Sequence, residues 1–345
     1  MSRKVIRGES GMIFQNIDFH NVAELSDSGD GGYILHRFPI CVEEELSEGG
    51  KNANKVSTGV EFRFRMISDT VTLKLRYFGK ATSVSIYRGG VIGSWDEVAV
   101  PIIGGEVRDL VITKKNTEAM KTINTSMNSR FSDEVVRVVC NSASLAFYGI
   151  EGEVLPPERE QLPERTYLAY GSSITHGSNA VAIPMSFAFR VAEHFCVDYL
   201  NLGLAGNARI EKGVVDHIAD LGASGGWNFA TVCMGINVLS MDEGEFRRRV
   251  RYAVETITAK NPDKHVFFIS PIYCSADMKG EATAARFREI VGEEAMRQTA
   301  SHVHYINGLE LLSDSSGLSG DYVHPSPRGI ERITNTLIEK ISPFV

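Results

Sequence analysis

The residues best suited to chemistry lie in four short segments, in the order Ser, Gly, Asn and Asp-x-x-His. The first segment is Tyr170-Gly171-Ser172-Ser173-Ile174-Thr175-His176-Gly177. An apolar, β-prone run from Thr166 to Tyr170 precedes it, and a segment with helical periodicity follows. A strand that ends in Gly-Ser-Ser and turns into a helix lifts a serine hydroxyl out of the sheet edge. The N–H groups of the turn and the start of the next helix then favour developing negative charge. The plainer alternative is a turn whose serines only cap the helix.

Three later segments decide between these readings. Asn201-Leu202-Gly203-Leu204-Ala205-Gly206-Asn207 runs out of a second strand, and its glycines would let backbone N–H groups approach a ligand. Gly235-Ile236-Asn237 follows a third strand, where an Asn amide can donate to an oxyanion or simply cap a turn. Asp321-Tyr322-Val323-His324-Pro325-Ser326 stands before the last helix. An Asp and a His three apart in a turn can reach each other. The carboxylate would fix the imidazole tautomer and stabilise its protonated form, so that His324 could take a proton from Ser173. Each segment alone has an ordinary structural explanation. Their occurrence together, in loops that could open onto one sheet edge, points to a serine nucleophile.

The elements that must position these residues follow from periodicity. Short apolar strands are expected at Thr166–Tyr170, Asp198–Leu202, Phe229–Met234, His265–Ser270 and Val303–Asn307. Helix-period segments lie between and after them, marked by Phe187/Val191/Phe195, Phe246/Val250/Ala253/Ile257, Phe287/Ile290/Val291 and Ile330/Ile333/Leu337/Ile341. Alternating strands and helices predict a doubly wound parallel sheet of the α/β class, with five strands and with sites at the carboxyl ends of the strands. Before it, residues 1–155 read as all-β. Val60, Phe62, Phe64 and Met66 alternate with Glu61, Arg63 and Arg65, and Val71, Leu73 and Leu75 with Thr72, Lys74 and Arg76. This pattern predicts a sandwich of jelly-roll type. Asn116 to Ser132 is polar and reads either as a long loop or as a short helix. The proline-interrupted stretch 156–164 reads as a linker, with the α/β domain at 165–345.

Composition limits the function. The chain has 345 residues, 43% hydrophobic and 23% charged, as ordinary soluble proteins have, and a net charge of −7 that argues against a nucleic-acid partner. No apolar run reaches membrane length, and Met1-Ser2-Arg3-Lys4-Val5 does not open a secretory leader. The five cysteines are odd in number and contain no Cys-x-x-Cys, which fits a reducing cytoplasm. His302 and His304 share a strand face, but no third ligand stands nearby and they read as structural. His176 either lines the pocket or packs. Trp95 and Tyr87 are candidates for sugar contact, against a core role.

The four segments together resemble those of the SGNH (GDSL-type) hydrolases over roughly residues 165–345, which implies a flavodoxin-like five-stranded form of the doubly wound parallel sheet. The forms Gly-Ser-Ser-Ile-Thr-His-Gly, Asn-Leu-Gly-x-x-Gly-Asn and Gly-Ile-Asn-Val further resemble a subgroup with an N-terminal β-sandwich, as in carbohydrate esterases of family two. The resemblance implies a triad of Ser173, Asp321 and His324. It implies an oxyanion hole of the Ser173 and Gly206 backbone N–H groups and the Asn237 amide, with no metal and no cofactor. The chain departs from the family pattern at Ser172, where Asp is usual, and at Val238, where Asp often follows the Asn. The activity implied is hydrolysis of short acyl esters, mainly O-acetyl groups on a carbohydrate or glycosylated small molecule. An acyltransferase or thioesterase on the same site, and a carbohydrate-binding protein without catalysis, are the alternatives.

Overall fold

The computed structural model describes residues 5–7, 12–115 and 118–345. Positions 1–4, the start of Met1-Ser2-Arg3-Lys4-Val5, lie outside the described residues. So do 116–117, at the start of the ambiguous polar stretch. Beyond them that stretch forms a helix, Glu118–Ser126.

The N-terminal region forms two antiparallel sheets. One runs in the order Val5–Arg7, Glu24–Asp27, Tyr33–His36, Leu145–Glu151, Thr70–Tyr77, Val107–Thr113. The other is built on Val100–Ile103, Ala81–Arg88, Val135–Cys140, Glu61–Met66, Ile17–His20 and Ile13–Phe14. They pack face to face because period-two alternation puts one apolar row on each inner face. Phe62, Phe64, Ile86 and Val138 of one sheet meet Leu73, Leu75, Ile112 and Phe147 of the other in a common core. The polar rows are not all in solvent. Glu61, Arg63 and Arg137 are buried, because their face of the sheet abuts the C-terminal region.

The C-terminal region is a five-stranded parallel sheet in the order Asp198–Gly203, Thr166–Gly171, Phe229–Cys233, His265–Ile269, Val303–Ile306. Each strand lies within about a residue of its expected bounds. Helices Lys212–Ala223, Glu243–Lys260 and Ala282–Met296 bury one face of the sheet. Phe187–His194 and Pro327–Ile341 bury the other. The last helix shows the local logic. Ser326 caps it by accepting from the Gly329 N–H at 3.3 Å, Pro327 occupies its first turn, and Ile330, Ile333, Leu337 and Ile341 form its buried stripe. Strand order reverses at Thr166–Gly171, so a crevice opens at its carboxyl end.

The two regions share core and charge. The short helices Ile40–Glu43 and Glu48–Asn54 leave the sandwich, and Phe38, Leu46 and Ala53 join Val214, Val215 and Ile218 in the core of the parallel region. At the opposite end Arg63 grips both oxygens of Asp198 at 2.7 Å and also reaches Glu61 at 2.8 Å. Arg137 grips both Glu61 oxygens at 2.6 and 2.7 Å.

Candidate active site

The strand Thr166–Gly171 ends in a turn whose two serines have different tasks. Ser172 is the N-cap of the short helix Ser173–His176, its hydroxyl accepting from the Ile174 N–H at 3.2 Å. Ser173, the first helical residue, donates its hydroxyl to His324 Nε2 at 2.7 Å. On the far side of the ring, His324 Nδ1 donates to Asp321 Oδ2 at 2.6 Å. The tautomer follows from the partners. An ionised carboxylate can only accept, so Nδ1 carries the hydrogen and Nε2 is free to accept from Ser173.

Asp321 is held by its own turn. Its Oδ1 accepts from the Val323 and His324 N–H groups, both at 2.9 Å, and from the Ser319 hydroxyl at 2.8 Å. Desolvation works to raise its pKa. The hydrogen bonds from His324, Val323 and Ser319 outweigh it and hold the carboxyl well below the usual carboxylate range. Tyr322, between Asp321 and His324, takes a left-handed φ of 59°, which closes the turn tightly enough for the two side chains to meet.

The expected oxyanion donors lie in the loops that leave the two strands flanking Thr166–Gly171. Gly206 has φ +69°, a conformation that suits glycine, in the turn after the second strand. Asn237 lies in the short helical turn after the third, and its Oδ1 accepts from the Ala208 N–H at 3.1 Å. That bond fixes the orientation of the amide and leaves Nδ2 as the outward donor. No intrachain acceptor takes the Gly206 N–H or Asn237 Nδ2 among the described residues. A serine hydroxyl paired to an oriented imidazole, with unused N–H groups at adjoining strand ends, can attack an acyl carbonyl and stabilise the resulting oxyanion.

Other candidates fall elsewhere. His176 is 2% exposed. Burial, helped by the Arg37 charge, pushes it down to about 3, so it packs as a neutral ring. His304 pairs with His265 on the next strand at 2.8 Å and lies against Phe344. No group of three His, Cys, Asp or Glu among the described residues could hold a metal ion. Tyr87 is core, against Phe189, whereas Trp95 is 89% exposed on the sandwich.

Residues that motif reading passed over support the site. Asn201 Nδ2 donates to Thr175 O at 3.0 Å and its Oδ1 accepts from the Gly203 N–H at 3.0 Å, joining the first two loops. From the N-terminal region, Thr58 donates to His176 O at 2.5 Å. Asn21 and Arg37 donate to Asn201 O at 3.1 and 2.8 Å. Asn201 opens the second segment and could have been flagged there. Nothing local marks Thr58, Asn21 or Arg37. Behind the nucleophile turn lies a small apolar cleft of about 40 Å³, lined by Ile174, Phe187, Ile236, Pro271 and Ile333.

A family model for GDSL-like lipases and acylhydrolases matches residues 164–342, just over half of the 345 residues. The chain belongs to the GDSL-like lipase/acylhydrolase family. As a member it is a serine hydrolase that acts on ester bonds. The whole chain is similar in fold to a salicylyl-acyltransferase from a tetracycline biosynthetic pathway, at 15% identity and a TM-score of 0.79 over 99% of this chain and 97% of that one. It is also similar to a family two carbohydrate esterase from Cellvibrio japonicus, at 12% identity and a TM-score of 0.63 over 99% and 98% of the two chains. A family two carbohydrate esterase from Clostridium thermocellum gives 16% identity and a TM-score of 0.57 over 82% and 91%. At these identities the likeness is one of fold, sandwich included. A search of curated proteins finds no match. No helix among the described residues is long and apolar enough to cross a membrane.

Proposed function

We propose that this GDSL-family hydrolase removes short acyl groups, chiefly O-acetyl, from a carbohydrate or glycosylated small molecule through an acyl-enzyme on Ser173. The observation that carries the reading is the unbroken Ser173–His324–Asp321 relay. Ser173 Oγ attacks the ester carbonyl carbon while its proton passes to His324 Nε2. The carbonyl oxygen becomes an oxyanion facing the Ser173 and Gly206 N–H groups and Asn237 Nδ2. Collapse breaks the bond to the leaving oxygen, which takes the proton from His324. Water then repeats the sequence, losing its proton to His324 and releasing the acid and Ser173.

The polar rim supports a sugar-bearing substrate. Ser313, Ser315, Ser316 and Gly320, just before Asp321, are exposed. Two of the proteins similar in fold are named carbohydrate esterases, which favours the same substrate class by analogy. The reading divides the chain into a sandwich domain at 1–155, a linker at 156–164 and the hydrolase domain at 165–345. All five cysteines are unpaired, which suits a reducing cytoplasm.

A second reading has an alcohol or amine in place of water as acceptor. The likeness to an acyltransferase over 99% of the chain favours it. One experiment tests both. A fluorophosphonate probe should label Ser173 alone, and p-nitrophenyl acetate should give free acetate in water. Absence of label on Ser173 refutes the nucleophile assignment. Acetate appearing only as an ester of an added sugar would make the protein a transferase.

A further inference from the structure

The N–H that the oxyanion reading needs from Gly206 belongs to the peptide joining Ala205 to Gly206. That peptide is the middle one of a β-turn. The Asn207 N–H donates to Leu204 O at 2.9 Å, Gly206 has φ +69°, and Ala205 is not left-handed. These are the marks of a type II turn. Types I and II differ by a flip of that middle peptide. One orientation presents the Gly206 N–H to a given side, and the other presents the Ala205 carbonyl. A carbonyl in that place would meet a developing oxyanion with the wrong sign, so the orientation bears directly on catalysis.

One side chain holds the peptide. Asn207 Nδ2 donates to Ala205 O at 2.9 Å, fixing the carbonyl edge and with it the opposite N–H edge. The Asn207 amide is held in turn from 160 positions away. Ser47 Oγ donates to Asn207 Oδ1 at 3.1 Å. Ser47 also caps the helix Glu48–Asn54, accepting from the Gly50 N–H at 3.2 Å. The next residue but one is pressed against the same amide, since a Cβ on Gly49 would come 2.5 Å from Asn207 Oδ1. Both ends of this amide therefore have partners, whereas the Gly206 N–H has none among the described residues.

We propose that Ser47 and Asn207 form a relay by which the N-terminal region sets the orientation of the Ala205–Gly206 peptide, and so of an oxyanion donor. Both are positioning residues that touch no reacting atom. The proposal rests on the reading of Ser173 as nucleophile, and it makes the N-terminal region part of the catalytic apparatus.

The test uses the full chain and p-nitrophenyl acetate. Asn207→Ala should lower kcat by on the order of 10- to 100-fold with little change in KM, as a misplaced donor does. Ser47→Ala should lower kcat by about 3- to 10-fold, and Ser47→Thr should restore it. Ser47→Asp keeps an acceptor for the Gly50 N–H, hence the cap, but cannot donate to Asn207. It should be at least as slow as Ser47→Ala while melting like the parent. The double variant Ser47→Ala/Asn207→Ala should be no slower than Asn207→Ala, because the two act in series. A Ser47→Asp enzyme with parental kcat, or losses confined to KM, would overturn the relay. Turnover is not the sole readout. With 15N-glycine labelling, and Gly206 assigned through Gly206→Ala, its amide resonance should shift or double in Ser47→Asp and Asn207→Ala but not in Ser47→Thr. An unmoved resonance overturns the relay whatever the activity. Failure of the nucleophile reading is distinct, since it appears as a missing fluorophosphonate label on Ser173 in the parent.

Discussion

Ser173 Oγ and His324 Nε2 lie 2.7 Å apart across 151 positions of sequence, whereas Ser172, one residue before, turns its hydroxyl to the Ile174 N–H. The strand-to-helix turn sends consecutive serines in different directions, so only one can reach the base. Ser173→Ala should therefore lower kcat by several orders of magnitude with the melting temperature preserved. Ser172→Ala should keep most activity and lose about 1 kcal/mol of local stability, the usual value of an N-cap. A dead Ser172→Ala enzyme beside an active Ser173→Ala enzyme would reverse the assignment.

Asn237 presents Nδ2 because its Oδ1 is tied to the Ala208 N–H. Such a donor meets full charge only in the transition state. Asn237→Ala is expected to reduce kcat by on the order of 10²–10³ with a smaller change in KM. Steady-state kinetics on p-nitrophenyl acetate decide it. An effect on KM alone would make Asn237 a substrate-binding residue instead.

The parallel sheet and the four motif loops were legible because each strand is a short apolar run closed by Gly, Asn or Ser. The helix Lys212–Ala223 was not. Gly213 and Gly222 at its ends and the paired Val214-Val215 are weak helix formers, and packing against Val250 and Val254 overrides them. Choosing between Ser172 and Ser173 by residue chemistry alone was impossible, since both are hydroxyls in one turn. The burial of Glu61 and Arg63 was also hidden. Their alternation with Phe62 and Phe64 reads as a solvated face until a second region covers it. Ser47 and Asn207 share no local pattern, and only the fold brings them together.

That covered face should be costly to damage. Arg63→Met would leave Asp198 buried without its bidentate partner, at a loss of about 3–5 kcal/mol. Urea denaturation measures it. Adding Asp198→Leu should recover much of the loss, because an apolar pair needs no counter-charge. A single variant within about 1 kcal/mol of the parent would mean that the ion pair does not join the regions.

Stability should fall on the acid side in two stages. Burial, and next the Arg37 charge, push His176 down to about 3. Its ordinary value is about 6.5, so between these limits the unfolded chain binds a proton that the native chain does not. Stability contributed by the neutral ring is thus lost as pH falls from about 6.5 towards 3. Below about pH 4 the carboxylates follow. Burial opposes ionisation of Glu61 and Asp198, but Arg137 and Arg63 outweigh it for Glu61, and Arg63 and His20 for Asp198, leaving both folded values low. Urea midpoints at about pH 7.5, 6 and 5 should decline, and His176→Gln should make the decline shallower, the remainder coming from His217 and His304, which burial pushes down to about 4. An equal slope in parent and variant would remove His176 from the account.

The acyl group is the remaining question, and the site's shape gives two opposed expectations. Asp321 and the serines of the rim before it are exposed, and His324 keeps a quarter of its side chain in solvent. Such an open, polar approach suits the alcohol part of a hydrophilic ester and gives a long chain little apolar surface on the way in. Against it stands the small apolar cleft beside Ile174 and Ile236, toward which an acyl chain could point. Its walls include Ile333, which belongs to the stripe that docks the last helix, so an acyl chain entering that far would press on packed core. Hydrolysis of p-nitrophenyl esters should accordingly be fastest for acetate and fall steeply by about eight carbons, as added methylenes meet strain rather than space. The same enzyme should release acetate from acetylated oligosaccharides, with Ser173→Ala inactive on both. An optimum at about eight carbons or longer would make the Ile174–Ile236 cleft the acyl site and refute the acetyl reading. Activity on p-nitrophenyl acetate with none on any acetylated saccharide would refute the sugar.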